Sequence, residues 1–401
     1  MWAYFKIECK KFFTNKKNIA VYVLLLCFAV FYAIRLAPAY DPIEKVDINA
    51  IEASYLTRET FLAEQYGKDP YNQHPAVQYA LAIFPIWNQY EIDRMKALQT
   101  KDLKEYAAVT AEWYKFTDLH TFRGGYYFYN PRYYNYGNLY AHEEGHKAYM
   151  ATAARYEQYA KMDNDALNLE VFEEFTAVQT IYRLMEAYLP YVLLIAALLL
   201  SVDIVLQDRK YPTLLRGYPI SDWKKLLVKG VTAFVGVLAM LIPIVLFAVM
   251  IGIQFGFGSF NLPVPVAVDS IMGISYKTIT MGEYFTKAAL LLASLCALII
   301  SLVLFLSVLF RSEVFNLLAG LGFLASERLY YDRGNGYLYD VENFIPTYFQ
   351  VSHIITNSKN SFYDTIEIAY NKGIIIACLL TGILLIVTLF ISLSKRYKFI
   401  K

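Results

Sequence analysis

Several apolar runs, each long enough to cross a lipid bilayer as a helix, constrain this chain more than any other feature. Crossing about 30 Å of hydrocarbon at about 1.5 Å per residue takes about 20 mostly apolar residues, and every backbone N–H and C=O must find its partner inside the protein. Such runs lie at about Asn18–Leu36, Tyr188–Leu206, Leu226–Phe255, Ala288–Phe310 and Gly373–Leu393. A shorter one, VFNLLAGLGFLAS, begins at Val314 and stops before Glu327 and Arg328. Six crossings are therefore expected. A chain that is 57% hydrophobic and 17% aromatic is too apolar for a soluble globule of ordinary composition, which agrees with that reading.

Charge gives the orientation. Lys6, Lys10, Lys11, Lys16 and Lys17 precede the first run, and Arg209, Lys210, Arg216, Lys224, Lys225 and Lys229 fall between the second and third. Lys395, Arg396, Lys398 and Lys401 follow the last. Six crossings put all three clusters on one side, and lysine and arginine concentrate on the cytoplasmic side of membrane proteins. Both termini are expected in the cytoplasm of a multi-pass cell-membrane protein. The first run is longer than the apolar core of a secretory signal and no small-residue cleavage site follows it, so an uncleaved anchor is expected. Cys9, Cys27, Cys296 and Cys378 all lie in the leader or in apolar runs, which leaves no framework for an external disulfide-stapled domain.

The expected organisation has four parts: residues 1–17 as an interfacial amphipathic helix, 18–37 as the first crossing, 38–185 as an extracellular domain, and 186–401 as crossings two to six with a cytoplasmic loop at 207–229. The leader MWAYFKIECKKFFTN intersperses Trp2, Phe5, Ile7, Phe12 and Phe13 with lysines, the pattern of a helix lying in the headgroup layer against anionic lipid. The 38–185 region carries more acidic than basic residues. Its apolar residues recur at helical spacing over Ile48–Tyr66, Val77–Leu98, Leu103–Leu119, Tyr140–Tyr159 and Leu167–Met185. It is read as mostly α, broken by a tyrosine-crowded loop, RGGYYFYNPRYYNYG, at Arg123–Gly137. Nothing interrupts Leu167–Tyr188 before the second crossing, so one continuous helix is expected there. The fold class is an all-α integral membrane protein with six transmembrane helices and a helical extracellular insertion.

The loop after the second run is DRKYPTLLRGYPISDWKKLLVK, from Asp208 to Lys229. Ser221 stands where a helix N-cap belongs after the Pro219 turn, and Asp222 and Trp223 open a helix with lysines following. This loop, with an acidic residue, then a Leu-Leu pair and a Pro-Ile-Ser turn, resembles the cytoplasmic loop of ABC type-2 permeases. The likeness extends to the interfacial leader, to the short return Phe310-Arg-Ser-Glu-Val and to Ile345-Pro346-Thr-Tyr-Phe349. Tyr211-Pro212 stands where that family usually has a Gly-Thr turn, and the external domain exceeds that of its simplest members. The resemblance implies a permease subunit of an ATP-driven exporter that itself catalyses nothing. It implies contact with a separate ABC ATPase through Asp208, Leu214, Leu215, Pro219, Ile220, Ser221, Asp222, Trp223 and Lys224. No G-x-x-x-x-G-K-[ST] phosphate loop occurs in the sequence, so ATP and Mg belong to the partner and this chain is expected to bind no cofactor of its own. A second permease copy or paralogue, membrane lipid and an exported substrate complete the expected partners. Nucleic acid is not among them. An amphipathic or antimicrobial peptide is the expected substrate, given the acidic, tyrosine-rich external region.

A second reading rests on His142-Glu143-Glu144-Gly145-His146, an H-E-x-x-H in the external region. On a helix, His142 and His146 share a face for zinc and Glu143 stands as general base, which describes a membrane-anchored metallopeptidase. Glu144 and Gly145 depart from the apolar chemistry usual between such histidines, so metal there is not expected. Asp203, near the inner end of the second run, is the remaining intramembrane polar candidate.

Overall fold

The computed structural model describes residues 1–69, 72–125, 127–134, 137–210, 220–270, 273–332, 336–337, 340–363 and 365–393. The chain divides into two compact units: Met1–Ala39, Thr180–Gln254 and Phe285–Lys401 form one, and Tyr40–Gln179 with Phe255–Tyr284 the other.

The first unit holds the apolar helices. α1 (Trp2–Thr14) and α2 (Lys16–Phe31) are joined at Asn15, whose extended backbone and side chain, accepting from the Lys17 N–H, cap the second helix. After the second unit's first segment come α9 (Leu189–Ser201), α10 (Asp222–Leu238), α11 (Leu241–Phe255), α12 (Met281–Leu309), α13 (Glu313–Ala325), α14 (Glu327–Tyr330) and α17 (Tyr370–Leu393). Two short helices, α15 (Val351–Ile355) and α16 (Ser358–Tyr363), precede the last one.

Among the described residues five helical stretches are long and apolar enough to cross a membrane: Lys16–Leu36, Leu189–Asp208, Asp222–Phe255, Met281–Leu309 and Tyr370–Leu393. α13 is shorter, at 13 residues. Leu189–Asp208 has 72% of its apolar window buried inside the chain and Tyr370–Leu393 only 11%. The former is therefore the hub, and the latter turns most of its surface away from the protein.

α9 and α13 pack antiparallel, and three contacts set their register. Asn316 donates to the Val202 carbonyl at 3.2 Å, Gly320 lies against Leu198, and Tyr191 donates to Glu327 at 3.2 Å. A Cβ at Gly320 would meet Leu198 Cδ1 at 2.4 Å, so any side chain there would force Leu198 to shift. The return from α12 to α13 is short because Arg311 takes a left-handed turn, φ 58°, and Ser312 caps α13 by accepting from the Phe315 N–H.

In the second unit, four helices form where apolar periodicity predicts them: α3 (Ile48–Gln65), α4 (Pro75–Thr100), α5 (Leu103–Phe122) and α6 (Ala141–Tyr159). Their core is built from phenol rings. Tyr106, Tyr156 and Tyr159 are fully buried, with Phe172 stacked on Tyr156. The continuous helix expected from Leu167 to Tyr188 is instead α7 (Leu169–Phe172) and α8 (Ala177–Glu186), with a turn at Ala187–Tyr188 before α9. Glu174 adopts φ 59° in the first break, and Pro190, which has no N–H to donate, opens α9 rather than continuing a helix.

Strands add to the helices. β1 (Pro263–Ser270) and β2 (Gly273–Thr280) form an antiparallel hairpin, pairing Pro263 with Thr280 through to Ser270 with Gly273, and it packs on α6. Two prolines in β1 argue against a strand in a wide sheet, but a two-stranded ribbon keeps one edge of each strand unpaired, where a missing N–H is tolerated. A smaller hairpin, β3 (Tyr331–Asp332) with β4 (Gly336–Tyr337), lies in the first unit.

Candidate functional site

A buried charge cluster forms where α1 docks on α10. Tyr4, Glu8 and Phe12 recur every four residues and are all buried, which places them along one face of α1. Lys225, Lys229, Thr232 and Gly236 form the matching buried stripe on α10. Glu8 meets Lys229, Cys9 meets Thr232 and Phe12 meets Gly236, so the two helices run parallel. Glycine is required at the last contact, since a Cβ at Gly236 would sit 2.1 Å from the Phe12 ring.

At the centre, the Lys229 ammonium is 1% exposed and donates to Glu8 Oε2 at 2.9 Å and to the Ile204 carbonyl at 2.8 Å, and it forms an ion pair with Asp208 Oδ2 at 2.8 Å. Lys11 bridges the same two carboxylates from the outside, 3.2 Å from Glu8 and 3.1 Å from Asp208. Burial pulls the Lys11 ammonium's pKa down, but the Asp208 and Glu8 carboxylates outweigh it and hold the pKa above the usual lysine value. Alongside, Asp203 accepts from Lys17, from Asn15 at 3.1 Å and from Gln207 at 2.6 Å. Asn18 donates to the Phe12 carbonyl at 2.9 Å, and Tyr22 to the Gly236 carbonyl at 2.7 Å. The leader, the end of the Leu189–Asp208 stretch and the start of α10 are thus tied by buried ionic bonds. The cluster is a joint that holds the three segments against one another.

The residues expected to meet an ATPase divide around this joint. Leu214, Leu215 and Pro219 lie outside the described residues. Asp208 is 3% exposed and engaged by Lys11 and Lys229. Ser221 is exposed at the N-cap position, where its carbonyl accepts from the Lys224 and Lys225 N–H groups while its hydroxyl makes no capping bond. Asp222 and Trp223 are half-buried, Lys224 lies 5.3 Å over the Trp223 ring, and Ile220 precedes the helix. The helix expected to open at Asp222 and Trp223 forms the first turns of α10, which continues to Leu238.

The histidines sit in the second unit. His142 and His146 both stack on Phe122, with ring centroids 4.6 and 4.1 Å away. The His146 Nδ1–H donates to the Asp118 carboxylate, which also accepts from the Tyr129 hydroxyl at 2.7 Å. Glu143 pairs with Lys147. Gly145 is a packing residue, since a Cβ there would lie 2.3 Å from the Tyr129 ring. Among the described residues no group of three histidine, cysteine or acidic side chains is arranged to hold a metal ion.

Glu8 is the member of the joint that sequence reasoning passed over. Its signal is a single carboxylate in a leader otherwise charged by lysines. Lys229 carries a similar signal, a lysine a full turn inside an apolar run.

A family model described as ABC-2 family transporter protein matches residues 2–332 of the chain. No curated protein and no solved structure matches it.

Proposed function

The chain belongs to the ABC-2 family of transporter proteins, membrane subunits that work with an ABC ATPase, and from that premise we propose that it is the permease of an ATP-driven exporter. The observation that carries the proposal is the buried joint at Lys229. A partner pressing on residues 207–229 presses on Asp208 and on the first turns of α10, which are bonded through Lys229 to Glu8 of α1. Force applied there reaches two crossings and the interfacial helix together, as coupling to ATP binding demands.

The chain crosses six times in this reading, with both termini and residues 207–229 cytoplasmic and the Tyr40–Gln179 unit extracellular. The antiparallel register of α13 on α9 supports the sixth crossing, because α13 then runs the depth of its neighbour in the opposite direction. Two permease copies, identical or paralogous, enclose the pathway, and the ATPase closes beneath Ile220, Ser221, Asp222, Trp223 and Lys224 with the preceding Leu214, Leu215 and Pro219. An amphipathic or antimicrobial peptide is the proposed cargo, since the external unit is acidic and rich in tyrosine.

Replacing Trp223 by alanine tests the proposal. Truncating an aromatic anchor at an interface costs about 2 kcal/mol or more, over tenfold in affinity. Trp223→Ala is expected to weaken co-purification of the ATPase or to uncouple hydrolysis from export while the chain still inserts, and Lys401→Ala to do neither. Unchanged assembly, hydrolysis and export in Trp223→Ala would remove 207–229 as the coupling surface.

A further inference from the structure

A second buried ion pair lies in the first unit, away from the Lys229 joint. Glu327 opens α14 with its side chain 10% exposed, and Lys359, on α16, is 3% exposed and paired with it. The Tyr363 hydroxyl donates to Glu327 Oε1 at 2.8 Å and the Tyr191 hydroxyl to Oε2 at 3.2 Å. The Lys359 ammonium also donates to the Gln350 side-chain oxygen at 2.8 Å and lies 5.2 Å over the Tyr363 ring, which stacks on Tyr331 at 4.0 Å. A carboxylate, an amide oxygen and an aromatic face therefore converge on one ammonium, the donor and ring chemistry by which proteins recognise primary amines.

Two features distinguish this from a plain staple. The carboxylate is held by two phenols from separate elements, α9 and α16, so it stays aimed when the lysine is absent. The ammonium reaches it on a flexible four-carbon stem, so it is the adjustable partner of the pair. Burial drives the Lys359 pKa below the usual lysine value, with the Glu327 carboxylate opposing, so the buried charge is the costly partner of the pair.

We propose that Glu327, Tyr191, Tyr363 and Gln350 form a recognition site for a primary ammonium group, filled by Lys359 in this conformation and taken by the amine of a cationic substrate when Lys359 swings out. The cargo half of this inference rests on the exporter reading; the site itself does not.

The test uses the purified full-length chain without an ATPase. Lys359→Ala removes three carbons and the nitrogen, which are the atoms of n-propylammonium. This variant is expected to melt several degrees lower than the parent, and n-propylammonium to restore most of the loss saturably. Propan-1-ol should fail to do so, and the parent, whose site is filled, should not respond. Adding Glu327→Gln to Lys359→Ala should abolish the rescue. Rescue by propan-1-ol as well, no rescue at all, or rescue that survives Glu327→Gln would overturn the site. A second measurement, on the ATPase-bound complex, also covers the case in which Lys359→Ala does not fold. Hydrolysis stimulated by dodecylammonium is expected to need at least about tenfold more of it in Glu327→Gln, about 1.4 kcal/mol, and an unchanged concentration dependence would overturn the cargo role. A parent complex whose hydrolysis ignores dodecylammonium overturns that role too, while a chain that recruits no ATPase overturns the exporter reading and leaves the melting result standing.

Discussion

At the residue scale, Lys229 has the largest consequence for stability, because its buried ammonium is shared between two carboxylates that have almost no access to water. Taking away one partner of a buried pair leaves an uncompensated charge and costs about 3–5 kcal/mol. Lys229→Met is therefore expected to lower the melting temperature sharply or to prevent recovery of folded protein. Lys11 touches the same carboxylates, but its side chain is 45% exposed, so Lys11→Ala should cost less than about 1 kcal/mol. Equal losses in the two variants, measured by thermal unfolding in detergent, would show that burial does not rank these lysines. His353 offers a pH readout outside the apolar helices. Burial, reinforced by the charge of Lys359, lowers its pKa from 6.5 to about 4, and its Nδ1 is bonded to Ser358 at 2.8 Å. Between those values the unfolded chain binds a proton that the folded chain refuses, so stability falls as pH drops from about 6.5 to 4. The full loss is about 3 kcal/mol at about 1.4 kcal/mol per pH unit. His353→Gln should flatten that part of the stability profile, and identical parent and variant profiles would exclude the assignment.

At the element scale, α1 shows what periodicity in a sequence can and cannot reveal. Alternation of aromatic residues with lysines marks an amphipathic leader, but spacing says only which side chains share a face, not what covers them. Here a protein surface, α10, covers Glu8 and Phe12, and the contact joins residues more than two hundred positions apart. The four long helices of the second unit were legible to within three residues at their ends because each carries its own apolar stripe. The β1–β2 hairpin was not, because prolines mask its alternation and its fit depends on α6. The Leu167–Tyr188 break was hidden for a related reason: a left-handed residue at Glu174 has no signature in hydropathy. Gly236 tests the α1 docking. Gly236→Leu places a side chain in the space of the Phe12 ring, so α1 should lift while the apolar helices remain folded. Maleimide labelling of Cys9, which is half-buried against Thr232, is expected to speed up at least severalfold in that variant. An unchanged labelling rate would mean that α1 is held by its ionic contacts alone.

At the scale of the whole molecule, hydropathy separates membrane helices from the polar insertion, yet it assigns the insertion to one continuous stretch. The compact unit is assembled from two: Phe255–Tyr284, which lies between apolar helices in the sequence, packs with Tyr40–Gln179. The join is made by backbone and ring contacts. The Ala177 N–H donates to the Gly256 carbonyl at 3.0 Å and the Val178 N–H to the Phe257 carbonyl at 3.2 Å, while Phe175 stacks on Phe255 at 5.2 Å. Gly258, at φ +75°, lies so close to Thr176 and Val178 that a Cβ would have no room. The hairpin covers α6, the helix that carries the buried Tyr149, Tyr156 and Tyr159. Residues 40–179 expressed alone therefore leave an apolar face of α6 in water and lose the partners of Ala177 and Val178. That fragment is expected to aggregate or to melt well below a single chain in which a flexible linker joins 40–179 to 255–284, and the joined form should be soluble, mainly helical by circular dichroism and indifferent to reducing agent. Equal solubility and melting of the two forms would show that the hairpin is an appendage; a higher melting point for the joined form would make the unit a two-segment domain.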